Sequence, residues 1–206
     1  MNAQVKEGDR FGYDYTINVV RGNAWASYTE TFRNIHYSVA GKIGYDGMNR
    51  DGKMRNGLFT NNSFGKSKTA NFLSGGGKTA ASIDLSHGHV FSLGLGLESK
   101  APTAYVAFQA AEMNNDFVRD LKNELIFSSE ASYQYSTSWL HANLNAYYSY
   151  VGHTTEWTCF YFDDINSFSY NALSNLKKAY YGVELGLRFK LTSYLDLKAI
   201  GTLSEA

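Results

Sequence analysis

The sequence predicts an all-β fold, an antiparallel up-and-down transmembrane β-barrel of about eight strands. Among the 206 residues, 16 are Tyr, 13 are Phe and 19 are Gly, while proline occurs once. This composition suits pleated strands joined by turns. Apolar residues recur with a period of two along most of the chain, and tight turns alternate with long polar loops. These observations together favour the barrel.

The first predicted strand lies within residues 11–32, where the alternation changes phase once, at Arg21 and Gly22. A single long strand with a bulge and a small hairpin both fit this pattern. The single strand brings the predicted total to eight. The apolar residues before the change are Phe11, Tyr13, Tyr15, Ile17 and Val19, and those after it are Ala24, Ala26, Tyr28 and Phe32.

The later strands alternate without such a change. In the second strand Ile35, Val39 and Ile43 oppose Ser38, Lys42 and Asp46 across the pleat. Each of these stretches therefore has one apolar and one polar face. The stretches are IHYSVAGKIGYD (35–46), VFSLGLGLE (90–98), HANLNAYYSY (141–150), GVELGLRFK (182–190) and LDLKAIGTL (195–203).

The segment LSGGGKTAASIDL (73–85) contains a glycine cluster followed by Lys78 and Thr79. A phosphate-binding loop would require a glycine where Phe72 stands and a helix after the threonine. Ala81, Ile83 and Leu85 instead alternate with polar residues. The segment is therefore predicted to be a strand.

The connections differ in length between the two ends of the predicted sheet. Tight turns are predicted near 33–34, 86–88, 136–138 and 191–193. Long polar loops are predicted near 48–69, 100–121 and 163–173. This asymmetry favours an outer-membrane barrel over a soluble sandwich. An aromatic cluster before the third loop fits a membrane-interface belt, and it comprises Tyr147, Tyr148, Tyr150, Trp157, Phe160, Tyr161 and Phe162.

Charge and targeting signals narrow the class of protein. Nineteen Lys and Arg residues balance nineteen Asp and Glu residues, so the chain lacks the basic character that nucleic-acid binding requires. Cys159 is the single cysteine and is interpreted as a small apolar residue. No apolar run has the length of a transmembrane helix, and the N-terminus does not have the pattern of a signal peptide.

Residue patterns for catalysis and for metal binding are weak. The sequence contains no G-x-S-x-G motif. His87 and His89 could clip a metal ion, but histidines solvated in a turn are the favoured interpretation. Asp163 and Asp164 lack the glycine and glutamate positions of a calcium loop. We therefore predict no enzymatic activity, no metal site and no cofactor.

The first long loop carries the candidate ligand-binding residues. Polar loops on a rigid β scaffold are where binding residues concentrate. The sequence gives no indication of which ligand is bound. The candidates are Asp51, Lys53, Arg55, Asn56, Asn61 and Asn62.

Several stretches in order resemble the barrel of TonB-dependent outer-membrane receptors, particularly those of Bacteroidota. RDGKMRNGLFTNNSFGKSKTANF (50–72) is similar to a long extracellular loop of that family, and KAPTAYVAF (100–108) to the start of the next loop. DLKNELIFSSEASYQY (120–135) resembles a strand that opens with N-L-K-P-E, although Asn123 replaces the usual proline. FYFDD (160–164) and YYGVELGL (180–187) resemble the following hairpin.

The resemblance spans residues 11–204 and implies energised uptake of an extracellular ligand such as a siderophore, glycan or peptide. It implies an outer-membrane location, contact with lipid, and a TonB complex acting through a plug domain. Such receptors have about 22 strands, whereas residues 1–206 form a single barrel segment with no plug domain. The chain also ends in GTLSEA rather than on an aromatic residue. We therefore expect a section from the later part of a larger barrel.

Two other classes of protein stay open. One is a self-contained small outer-membrane barrel, either porin-like or enzymatic, because eight strands is the lower size of such barrels. The other is a soluble β-sheet binding module whose apolar face is turned inward. Strand alternation by itself does not distinguish the inner from the outer face of a sheet.

Overall fold

The computed structural model describes residues 6–8 and 12–206, except the side chains of residues 165, 168 and 170. One antiparallel sheet dominates it, and each long strand pairs with the next long strand along the chain. The all-β, up-and-down prediction and the number of eight long strands are confirmed. The strands are β1 (Tyr15–Phe32), β2 (Ile35–Gly52), the two-residue β3 (Gly65–Lys66), β4 (Ala70–Leu85), β5 (His89–Lys100), β6 (Glu124–Ser136), β7 (Leu140–Phe162), β8 (Ser167–Lys190) and β9 (Asp196–Glu205).

Strand β1 is regular along its whole length. It pairs residue by residue with β2 without a register shift, so both the predicted bulge and the alternative hairpin are wrong. The apolar residues change sides because residues of the segment 101–123 cover the opposite face near the start of β1. Ile17, on that face, packs against a small apolar core. Phe11, which the pattern also included, lies outside the described residues.

The sheet has two chemically different faces, which we call the apolar face and the polar face. On the apolar face, Leu95 and Leu185 are each 43% exposed, so the described residues do not cover this surface. One row of directly paired apolar residues crosses six strands, and it consists of Ile35, Ile83, Phe91, Tyr133, Leu144 and Leu185. The intervening positions of the polar face include Ser38, Lys42, Ser92, Glu98, Ser128, Glu130, Asn145 and Glu184.

The four tight turns that the sequence predicts all lie at one end of the sheet. They join β1 to β2, β4 to β5, β6 to β7 and β8 to β9. At the other end lie two long loops, 53–69 and 101–123, apart from the two residues of β3. The second loop contains a short helix, α1 (Ala104–Ala107). We call the end with the long loops the loop end.

The prediction of a third long loop at 163–173 is wrong. A 3-10 turn, Asp163–Ile165, connects β7 directly to β8, and these strands have 23 and 24 residues. Transmembrane strands need about 9–11 residues, so this hairpin extends far beyond that length. A two-stranded ribbon that projects from the sheet is exposed to water on both sides. Its sequence is therefore polar on both faces, which resembles the sequence of a loop. Phe160, Tyr161 and Phe162 lie near its tip, and their place in an interface belt stays a prediction.

Residues 73–85 lie within β4, which confirms the strand interpretation. Gly76 permits close approach of β5, because a Cβ atom at this position would lie 2.8 Å from the carbonyl oxygen of Leu97. Phosphate binding by this segment is therefore not supported. Among the described helices, none has both the length and the apolar character needed to cross a membrane.

Candidate functional site

The two long loops pack against each other at the loop end. The backbone N–H of Asn115 donates to the carbonyl of Asn62 at 2.8 Å, and its side-chain amide donates to the carbonyl of Gly65 at 3.4 Å. Within the second loop, the rings of Phe108 and Phe117 stack with centroids 4.6 Å apart. We call this assembly of residues 53–69 and 101–123 the loop cap.

Arg50 joins strand β2 to both loops of the cap. Its Nε donates to the carbonyl of Ala111 at 2.6 Å. Its Nη1 donates to the carbonyl of Ser63 at 2.9 Å and to Asn115 Oδ1 at 2.6 Å. The residue is 1% exposed, so these bonds to a charged group form away from water, where such bonds are strong.

The surroundings of Arg50 lower the cost of burying its charge. The guanidinium carbon lies 5.1 Å from the centre of the Tyr15 ring, which is within cation–π distance. Burial lowers the pKa of Arg50, while Tyr15 and Asp51 act in the opposite direction. Burial raises the pKa of the Tyr15 hydroxyl, and the charge of Glu112 adds to that effect. The Tyr15 ring thus covers one side of the guanidinium.

An apolar underside fixes the loop cap to the polar face of the sheet. Met48 on β2 and Phe72 on β4 form one cluster with Ala101, Ala107 and Phe108 of the second loop. Met48 and Phe108 are almost fully buried. The second loop therefore folds over the polar face instead of extending away from the sheet.

The charged members of the predicted ligand-binding set already have partners within the protein, although Asp51 lies at the end of β2 and only Lys53 and Arg55 lie in the first loop. Asp51 and Lys53 form an ion pair with each other. Arg55 donates to the carbonyl of Thr60 at 2.9 Å and lies over the Phe64 ring. Because Arg55 is exposed, its guanidinium can also meet a molecule from solution.

The amide members of the set have different structural roles. Asn56 holds the loop conformation, because its Oδ1 accepts from the backbone of Leu58 and its backbone donates to Ser63 Oγ. Asn62 contacts the second loop through its carbonyl, whereas Asn61 is exposed. The structure thus places Arg55 and Asn61 at the surface and gives Asn56 a supporting role. Ligand contact by the set stays a prediction.

A second candidate surface lies on the polar face, where a cavity of about 340 Å³ runs along the middle of the strands. Lys42 Nζ donates to Glu98 Oε1 at 2.6 Å across Gly76, which has no side chain to separate them. Trp25, on the neighbouring strand, is 74% exposed beside Lys42. The lining of this cavity therefore combines the Lys42–Glu98 ion pair with the indole ring of Trp25.

Sequence reasoning did not identify Arg50 or Asn115. The even-numbered polar face of residues 36–46, continued to position 50, would have placed Arg50 on the side that the loop covers. Its partners are mainly backbone carbonyls of the loops, however, and these carry no signal in the sequence. The pairing of Lys42 with Glu98 depends on the strand register, which alternation alone does not define.

Two of the histidines, His36 and His89, have local structural roles. His89 stacks on Tyr135, and its Nδ1 lies 2.6 Å from the Tyr133 hydroxyl. At the short-turn end, His36 lies between Thr31 Oγ1 at 2.9 Å and Asp84 Oδ2 at 3.0 Å. This arrangement ties three neighbouring strands together in solvent. Over the described part of the chain, no three His, Cys, Asp or Glu side chains are grouped as metal ligands.

The fold is similar to that of two solved transport proteins. The copper transporter OprC superposes with a TM-score of 0.68 at 17% identity, and the match covers 92% of this chain and 30% of OprC. The ferric-catecholate import receptor Fiu of E. coli K12 superposes with a TM-score of 0.60 at 13% identity, over 96% of this chain and 30% of Fiu. This chain thus spans about a third of the length of either protein. No protein-family model and no curated protein matches the sequence.

Proposed function

We propose that the chain forms a section of the barrel wall of a TonB-dependent outer-membrane receptor that imports an extracellular ligand. In this proposal the apolar face contacts lipid and the polar face lines the lumen. The loop cap lies outside the cell. A plug domain, which is not part of residues 1–206, connects the barrel to the TonB complex. The protein acts in transport and not in catalysis.

The apolar face carries this proposal. Its paired rows of Leu, Ile, Phe and Tyr continue from strand to strand without a covering layer. A soluble sheet would bury such a surface, whereas a membrane barrel presents it to hydrocarbon. The charged pair Lys42–Glu98 lies on the opposite face, as a water-filled lumen requires.

The sheet edges favour a larger barrel over a self-contained barrel of eight strands. In the described sheet, β1 and β9 are the two ends of the strand order and pair only with β2 and β8. Unpaired backbone groups are not tolerated in lipid. We therefore propose that further strands of the same polypeptide pair with both edges. The 30% coverage of OprC and Fiu agrees with this proposal.

The ligand is proposed to enter from the loop end. OprC is described as a copper transporter and Fiu as a ferric-catecholate receptor, so import of a metal-containing ligand is one candidate among those of the family. Within the predicted set, Arg55 and Asn61 are best placed for a first contact. Asp51, Lys53, Asn56 and Asn62 would shape the loop that presents them.

Accessibility of the two sheet ends in intact cells tests the proposal. In a C159S background, N61C is placed in the first loop and N34C in the short turn between β1 and β2. A membrane-impermeant maleimide should label N61C in intact cells and N34C only after lysis. An immunoblot should show the protein in the outer-membrane fraction. Equal labelling at both positions, or recovery in the soluble fraction, would contradict the proposal.

A further inference from the structure

We propose that a row of asparagines on the apolar face binds lipid headgroups and marks the outer boundary of the membrane. The row lies towards the loop end and comprises Asn18 on β1, Asn49 on β2 and Asn71 on β4. This placement rests on the proposed function, in which the apolar face contacts lipid. It adds the depth at which the sheet lies in the bilayer and the side chains that meet the headgroups.

Regular strand pairing places the asparagines on the same face as the aliphatic residues. Asn18 is directly opposite Asn49, which lies six residues from Ile43 on β2. Residues an even number of positions apart on a regular strand share one face, and Ile43 is 71% exposed on the apolar face. Asn71 is opposite Gly47, two residues from Asn49. The asparagine row is therefore continuous with the apolar face.

The amides of the row are hydrogen-bonded to neighbouring strands and remain accessible. Asn18 Nδ2 donates to Asn49 Oδ1 at 3.1 Å, and the Tyr45 hydroxyl donates to Asn71 Oδ1 at 2.7 Å. Asn18 and Asn71 are exposed. An exposed amide is costly in hydrocarbon because part of its hydrogen-bonding capacity is lost there. At the headgroup level, the same amides can donate to phosphate and ester oxygens.

Charged side chains mark the inner boundary at the short-turn end. Glu30 lies on the apolar face two residues before the end of β1, and its carboxylate accepts from the Tyr28 hydroxyl at 2.7 Å. In the following turn, the guanidinium carbon of Arg33 lies 5.3 Å from the centre of the Phe32 ring. A guanidinium beside an aromatic ring at the membrane surface can bind headgroup phosphates.

The spacing between the two limits agrees with the thickness of a membrane. Twelve residue steps separate Glu30 from Asn18 on β1, which is about 40 Å along a strand. At a strand tilt of about 40°, this length spans about 30 Å of the bilayer. An apolar band of about 25 Å fits between the limits, with an interfacial side chain at each end. The intervening residues on this face are uncharged, and they are Tyr28, Ala26, Ala24, Gly22 and Val20.

Depth-dependent quenching of a fluorescent label tests the placement. The full-length protein in a C159S background is reconstituted in phosphatidylcholine vesicles, with bimane on one introduced cysteine. The lipids carry either bromine in the middle of the acyl chains or a nitroxide on the headgroup. Labels at E30C and N49C should be quenched more strongly by the nitroxide. A label at I43C, midway between the limits on the paired strand, should be quenched more strongly by bromine.

The control K42C is adjacent to Ile43 but lies on the polar face, so bromine should quench it much less than I43C. Stronger quenching of N49C or E30C by bromine than by the nitroxide would overturn the inference. If bromine still quenches I43C more than K42C in that case, the inference fails alone, because the boundary lies elsewhere on a lipid-facing surface. If bromine quenches I43C no more than K42C, the apolar face does not contact lipid and the proposed function fails with it.

Discussion

Arg50 and Asn115, on different elements of the chain, are joined by a hydrogen bond of 2.6 Å from Nη1 to Oδ1. The same guanidinium nitrogen also donates to the carbonyl of Ser63. One side chain of strand β2 thus holds both long loops in place. The guanidinium of Arg50 therefore adds a polar anchor to the apolar cluster that fixes the loop cap to the sheet.

Replacing Arg50 by methionine should loosen the loop cap while leaving the sheet intact. Methionine keeps much of the apolar volume but removes the three side-chain hydrogen bonds. Hydrogen bonds from a charged group contribute about 1.5–3 kcal/mol each. We expect the free energy of local opening to fall by about 3 kcal/mol or more. Hydrogen exchange at the backbone amides of Asn115 and Val118 measures this.

Arg55→Met is the matched control for that substitution. Arg55 is an exposed arginine in the first loop, just after the strand that carries Arg50, and its side chain donates to the carbonyl of Thr60. Its replacement should change amide exchange in residues 101–123 little. Equal effects of R50M and R55M would show that Arg50 does not anchor the second loop.

One pair of arginine substitutions can test which face of the sheet contacts lipid and which faces the lumen. Leu95 lies on the apolar face about seven residues from the short turn, and Ser128 lies on the polar face at a similar depth. An arginine facing lipid near the bilayer centre costs about 2–4 kcal/mol, whereas lumen positions tolerate charge. We expect L95R to lower the free energy of unfolding in lipid vesicles by that amount and S128R to change it much less.

Urea titration of the vesicle-inserted protein provides the measurement. If S128R were the more damaging substitution, the polar face would be the buried one. The soluble-module alternative would then be favoured. Similar small effects of both substitutions would mean that neither face contacts hydrocarbon.

The strand arrangement could be predicted from the sequence because alternation reports directly on which residues share a face. That Val39 and Leu95 lie on the apolar side of their strands already follows from the printed sequence. The loop cap could not be predicted in the same way. Ile17 and Met48 violate the expected face because a loop more than 50 residues away covers them, and alternation reports only on local periodicity.

The projecting part of the β7–β8 hairpin shows that alternation can also be absent from a regular strand. Asn171 and Ser169 lie in regular β structure, yet their polarity resembles that of a loop. A ribbon outside a membrane has no buried face, so the alternation that identifies the other strands disappears. The bulge at His153 has no sequence signal either, because histidine does not mark a left-handed conformation as clearly as glycine does.

Close packing of β4 against β5 predicts different outcomes for two glycines on the polar face. A Cβ atom at Gly76 would lie 2.8 Å from the Leu97 carbonyl oxygen, whereas one at Gly94 would meet no atom within 4 Å. We expect G76A to destabilise the protein by about 1–3 kcal/mol through overpacking. G94A should be neutral or stabilise by up to about 1 kcal/mol, because alanine restricts the unfolded chain.

Equilibrium unfolding of the two glycine variants in the same lipid vesicles gives the comparison. The substitutions add the same methyl group on the same face, so their difference isolates the contacts with the Leu97 carbonyl and with Glu98 on β5. Equal stabilities of G76A and G94A would show that β4 and β5 can separate at this point without cost.

The projecting part of the β7–β8 hairpin, residues 157–172, should be dispensable for membrane insertion. Glu156 and Leu173 are paired across it, so replacing residues 157–172 by Asn-Gly closes the ribbon with a favoured two-residue turn. The remaining strands still exceed the 9–11 residues that a transmembrane strand needs. We expect the shortened protein to reach the outer membrane at the parental level, measured by immunoblot of the fraction.

A deeper truncation provides the control for this last expectation. Joining Ala146 to Val183, which are also paired, by Asn-Gly leaves residues 140–146 and 183–190, below the length needed to cross the bilayer. That variant should fail to accumulate in the outer membrane, because backbone groups of the neighbouring strands would lose their partners in lipid. If both truncations accumulated equally, strands β7 and β8 would not be part of the membrane-spanning wall. If both failed, the projecting hairpin would be needed for assembly itself.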